Sequence, residues 1–196
     1  HRATTAHADF IQRKLKECYD ESFTQRQVAA VRYKDGVYLE FSGASQHDLA
    51  VKSLENRTQG IRLLNVRKDT ETSTVKATVY IPAGKENYFI QKVEEYASKQ
   101  TESGKPRNND LVSSIENVKL AVLESFWIGK PDTIPTDEPI WCELWLRYDY
   151  QTTTPESWRI TEENITLICQ ENNIPIDEKH IVFPERIVKL ICANAH

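Results

Sequence analysis

The chain has 196 residues, 39% of them hydrophobic and 28% charged, with a net charge of −4. That length suffices to bury roughly 70% of the unfolded surface, so a core needs no disulfide or metal staple. No apolar run approaches a membrane span, since the longest, Val118 to Trp127, is broken by Lys119 and Glu124, and the first seven residues lack the apolar block expected of a signal peptide.

The first element reads as a helix from Ala6 to Val31, on which Phe10, Ile11, Leu15, Cys18, Tyr19 and Phe23 recur at three- and four-residue steps. Asp35-Gly36 signals a turn into a strand, Val37 to Phe41, with Val37, Leu39 and Phe41 on one side. Ser45 is placed to cap a short helix ending at Leu54, with Asp48 in its first turn. Two further strands, Ile61 to Val66 and Val75 to Ile81, flank a polar turn at Asp69–Ser73. Lys85 to Lys99 follows as a helix whose apolar face is Phe89, Val93 and Tyr96. The order strand, helix, strand, strand, helix predicts an α+β fold, most of a split βαβ unit of the ferredoxin-like kind; its fourth strand is not evident.

Gln100 to Asn109 is a polar loop, and Asp110 to Phe126 reads as a helix with Leu111, Ile115, Val118 and Val122 on one face. Prolines 131, 135 and 139 make Gly129–Pro139 the linker candidate. Ile140 to Arg147 has strand propensity; Thr161 is placed to cap a helix running to Asn172 and stopped by Pro175. Two strands, His180–Phe183 and Arg186–Cys192, close the chain. The expected organisation is an N-terminal helix (1–34), a split βαβ domain with its following helix (35–135), and a smaller strand–helix–strand unit (136–196), with a separate or shared core. The last unit repeats the architecture of the first without repeating its sequence. No methionine occurs, so the chain reads as a fragment of a longer protein.

Charge is distributed unevenly. Residues 1–34 hold seven basic and four acidic side chains, whereas 136–196 hold five basic and eleven acidic ones. That balance opposes phosphate binding by the C-terminal part, and neither a nucleic acid nor a membrane is an expected partner. Cys18, Cys142, Cys169 and Cys192 form no Cys-x-x-Cys pair, and three of them sit among apolar residues. They read as buried free thiols in a reducing compartment, which points to the cytoplasm.

Motifs that carry chemistry are missing from this sequence. His1, His7, His47, His180 and His196 have no metal-ligand spacing, and six glycines form neither a phosphate cradle nor a nucleophile elbow. The carboxylate pairs Glu94-Glu95, Asp137-Glu138 and Glu162-Glu163 read as solvated surface, because adjacent residues on a helix do not converge. Trp141 and Trp145, on one face of a strand among apolar and acidic neighbours, are expected in the core rather than on a base-stacking platform. No catalytic residue, metal or cofactor is therefore assigned.

Several segments together carry a family resemblance: Gly36 to Phe41, Leu49 to Arg67, Ala77 to Lys85, Ser113 to Ala121, Ser125-Phe126-Trp127 and Trp145-Leu146-Arg147. Over residues 6–193 the chain resembles the N-terminal region of bacterial cytoplasmic subtilisin-like serine peptidases, some of which pair with an AAA-type ATPase and are associated with phage defence. The resemblance places the catalytic Asp, His and Ser in a later domain, and this chain has none of the motifs that surround them. It implies a pro-region role as intramolecular chaperone, inhibitor or regulatory docking domain. Subtilisin propeptides are small split βαβ domains that cover the enzyme with a sheet face and leave a C-terminal tail in its cleft. Here that tail would be Ala193, Asn194, Ala195 and His196. The other implied role is recognition of an ATPase partner or phage-derived trigger, through the basic helix or the loop holding Lys105 and Arg107.

Overall fold

Helix α1 (Arg2–Val28) places Ala8, Ile11, Leu15 and Cys18 on one side by steps of three, four and three, and all four are buried. Phe23 falls off that stripe and is exposed. The computed structural model describes residues 2–28, 36–44, 49–69, 71–127, 131–148, 153–183 and 186–193. The chain divides into two compact units, His1–Ile128 and Gly129–His196. The division lies at the start of the proline-bearing segment rather than at 135/136, and α1 belongs to the core of the first unit instead of standing apart.

In the first unit β1 (Gly36–Ala44), β2 (Arg62–Asp69), β3 (Thr74–Pro82) and β4 (Asn117–Leu120) form one sheet in the order β2-β3-β1-β4. Every neighbouring pair is antiparallel, so β1 and β2 run parallel with β3 between them. This is the split βαβ arrangement. The β1-to-β2 crossover carries two 3₁₀ turns, Val51–Leu54 and Arg57–Gln59, where a helix from Ser45 to Leu54 was expected; Ser45 to Asp48 lie outside the described residues. The helical layer is made instead by α1 and α2 (Asn87–Ser98), which pack against each other. Beneath them lie Val37, Leu39 and Phe41 of β1 and Ala77, Val79 and Ile81 of β3, with the Phe41 and Phe89 rings 5.0 Å apart.

The missing fourth strand sits inside the segment expected to be a helix, Asp110 to Phe126. That segment breaks into α3 (Asn109–Val112), β4 and α4 (Leu123–Phe126). Leu111, Ile115 and Val118 are all buried, so their helical spacing reflects burial from α3, the connection after it and β4 in turn. The Ser113 and Ser114 hydroxyls donate back to the carbonyls of Asn109 and Leu111 and close α3. The connection to β4 passes so near β1 that a Cβ on Gly43 would lie 2.4 Å from the Ser114 carbonyl oxygen.

Away from the helices, the sheet carries a polar row in register: Asn65, Thr78, Glu40 and Lys119, one from each strand. Glu40 is only 2% exposed and meets Arg67 Nη2 at 3.3 Å and Lys119 Nζ at 3.4 Å. Asn65 and Thr78 donate to the carbonyl of Ser125, and Arg67 Nη1 donates to that of Trp127 at 3.1 Å. The α4 segment is thus strapped across the polar face by its own backbone carbonyls, and these side chains satisfy groups that would otherwise be buried without partners.

The second unit builds β5 (Ile140–Arg147), α5 (Pro155–Glu171), β6 (Ile176–Val182) and β7 (Arg186–Ala193) into a three-stranded antiparallel sheet of order β5-β7-β6. β5 and β6 are parallel with β7 between them, so the strand–helix–strand architecture recurs. Helix α5 starts six residues before the expected cap: Thr154 accepts from the Ser157 N–H and Pro155 occupies the first turn. Thr161 lies within the helix and donates back to the Ser157 carbonyl.

Removing the carboxylate at the centre of the polar row leaves Arg67 partly buried without its anion. Glu40→Ala is expected to cost about 2–4 kcal/mol, below the fully buried range because Lys119 is half exposed, and urea unfolding of the variant measures it.

Candidate functional site

Strand β5 alternates Trp141, Glu143 and Trp145 on one face with Cys142, Leu144 and Leu146 on the other. Both faces carry large apolar groups, and a strand of that kind needs cover on both sides. Helix α5 covers one side. There Lys189 is buried and donates to Glu162 Oε1 of α5 at 2.9 Å; His180 Nδ1 lies 3.6 Å from the same oxygen, and the Trp158 ring meets the His180 ring edge-on.

The other side is open at its edges, whereas Val188 at its centre is buried. Register places Trp145, Val188 and Ile181 in one row across the sheet, and Glu143 beside Leu190 in the next. Trp141 is 58% exposed, Trp145 53% and Ile181 60%. Phe183 and Leu190 are also exposed. The Arg186 guanidinium lies between two rings, 4.4 Å from the Trp145 centroid and 4.5 Å from that of Phe183. Trp145 Nε1 donates to Glu143 Oε2 at 2.7 Å, which ties the indole to its neighbour on the same face. The core placement expected for Trp141 and Trp145 is therefore corrected. Their apolar neighbours belong to the opposite face of the strand, which α5 covers. The legible signal was the two-sided apolar pattern of β5 itself.

The residues singled out in the sequence stand as follows. Ala193 ends β7 and pairs with Ile140, while Asn194, Ala195 and His196 lie outside the described residues. The loop from Gln100 to Asn109 is a closed turn: Thr101 N–H donates to the Lys105 carbonyl, and Arg107 N–H to that of Lys99. Arg107 Nε is 3.3 Å from Glu95 Oε2, and Glu95 is held below its usual range by hydrogen bonds from Lys99 and Asn108. Lys105 and Arg107 thus share a turn in the first unit, whereas Ala193 belongs to the second.

Among the described residues no group of three or more His, Cys, Asp or Glu side chains is placed to hold a metal ion, and no helix is long and apolar enough to cross a membrane. All four cysteines are free. Burial, with Glu21 adding to it, pushes the Cys18 thiol up to about 11; burial also raises Cys142 and Cys169. None of these three is an activated thiolate at neutral pH. Apolar and aromatic area ringed by a few charges is the composition of a protein-binding surface. The chain matches no family model, and it is similar to no curated protein and no solved structure.

The Cys18 thiol keeps its proton in the folded chain between pH 9, the ordinary value, and about 11. Over that window the folded state binds more protons than the unfolded one, so this contribution is full below pH 9 and is lost as pH rises. Comparing urea unfolding at pH 8 and pH 10.5, the decline in stability should be about 2 kcal/mol smaller in Cys18→Ala than in the parent chain.

Proposed function

We propose that this chain is a non-catalytic docking domain that assists or restrains a catalytic partner. The observation that carries the reading is the open aromatic face of the β5-β7-β6 sheet. Trp and Arg dominate the energetics of protein interfaces, and here Trp145 and Arg186 are already stacked in one rigid cluster. Holding them in place before contact lowers the entropy lost on binding. The family resemblance supplies the partner: a subtilisin-like catalytic domain of the same parent protein, in the cytoplasm, where four free thiols are at home. β7 leads from the centre of the docking sheet into residues 193–196, which act as the tail that enters the protease cleft as an added strand.

A second reading gives the first unit a recognition role toward an AAA ATPase or a phage-derived trigger. The closed turn that presents Lys105 and Arg107 on a fixed backbone favours it. The two roles use different units and are compatible.

The test of the docking role is inhibition of peptide hydrolysis by the catalytic domain of the parent protein. The expected result is inhibition by the purified chain at about nanomolar concentration, weakened tenfold or more by Trp145→Ala or by deletion of residues 193–196. Absence of both binding and inhibition overturns the docking role and leaves trigger or ATPase recognition standing.

A further inference from the structure

The second unit is short of core. Among its described residues, the buried apolar side chains are Cys169, Ile187 and Val188, joined by Lys189. A unit of this size has little to offset the entropy of folding, and many of its exposed large apolar groups lie on two opposite outer surfaces. One is the aromatic sheet face. The other is the outer side of α5, where Ile160, Leu167 and Ile168 are exposed at positions i, i+7 and i+8, while Glu162 and Cys169 point to the sheet.

These two surfaces fit each other. Seventeen helical residues span about 25 Å and eight strand residues about 27 Å, so α5 matches the strands in length. Arg186 gives the sheet face a cation, Glu143 there is engaged by Trp145 Nε1, and Glu156, Arg159 and Glu163 on exposed α5 sum to a charge of −1. A sheet covered on one side by a helix is completed most simply by a helix on the other.

We propose that the second unit stacks on a second copy of itself, with the outer stripe of α5 from one copy lying across the aromatic sheet face of the next. Because the two surfaces are on opposite sides of one unit, the contact is head-to-tail. It extends as a stack or closes as a ring rather than forming a two-fold dimer. Three strands of this length offer about 400 Å² of sheet, half of what a standard stable interface buries on each side. Association through a single contact is therefore weak, with a dissociation constant of about 10–500 µM. Stacking hides the face that the catalytic partner is proposed to use, so partner and second copy compete for it. The stacking itself holds whatever that partner is.

Sedimentation velocity on the full chain from about 1 to 500 µM tests this. The parent chain should increase in mass with concentration and pass beyond a dimer. Trp145→Glu removes the sheet face and Leu167→Glu the helix face, so each should remain monomeric alone. Mixed in equal amounts, the two should form a dimer and nothing larger, since each supplies the surface the other lacks. A parent chain that is monomeric throughout overturns the proposal. So does an assembly that stops at two copies, or two variants that stay apart when mixed. Circular dichroism checks the fold of both variants, and Trp141→Ser with Ile168→Ser repeats the pairing if either fails to fold. Inhibition of the protease is measured at nanomolar chain, where stacks are dissociated, so failure of one proposal is separable from failure of the other.

Discussion

A β-sheet has two faces, and a layer of helices covers only one of them. The other face must be polar enough for water, be strapped over by the chain, or await another molecule. Both units of this chain meet the constraint, because both are split βαβ sheets with their helices on one side. They meet it in opposite ways. The first unit lines its second face with Asn65, Thr78, Glu40 and Lys119 and straps α4 across it through backbone carbonyls. The second places Trp141, Trp145, Ile181 and Leu190 on its face and leaves them in solvent.

The contrast separates a structural surface from a functional one. Glu40 is enclosed by Arg67 and Lys119, and Asn65, Thr78 and Arg67 donate to the carbonyls of Ser125 and Trp127, so the polar row is spent on holding the fold. Among the described residues of the second unit, nothing plays that part toward the aromatic face. The ion pair of buried Lys189 with Glu162 works on the opposite side and fixes α5 to the sheet. Exposed aromatic area of this kind lowers solubility and raises the risk of aggregation, a cost that the proposed docking role would offset.

Much of the first unit was legible in the sequence because its signals are long and regular. Val37, Leu39 and Phe41 alternate cleanly, as does the Val75–Ile81 run, and both became central strands. β4 was hidden because a four-residue strand is too short for alternation to show, and Leu111, Ile115 and Val118 happen to fall at helical steps. The start of α5 was missed although Thr154-Pro155 is a good cap signal, since the acidic pair after Thr161 imitates one. The candidate site was misplaced for a deeper reason. Alternation tells which residues share a face, but whether that face is covered depends on strands and helices far away in the sequence. Trp141 and Trp145 were rightly put on one face; the pattern of β5 alone does not say that α5 lies behind the other.

The central claim is that the aromatic face stands open in the free chain and closes on binding. Collisional quenching of tryptophan fluorescence tests it most directly, in a variant carrying Trp127→Phe and Trp158→Phe so that only Trp141 and Trp145 report. At low micromolar concentration the account predicts red-shifted emission, efficiently quenched by acrylamide, with both effects reduced when the parent protein's catalytic domain is added. Blue-shifted, protected emission from the free monomer would contradict it, because the two indoles would then be buried within the chain's own core.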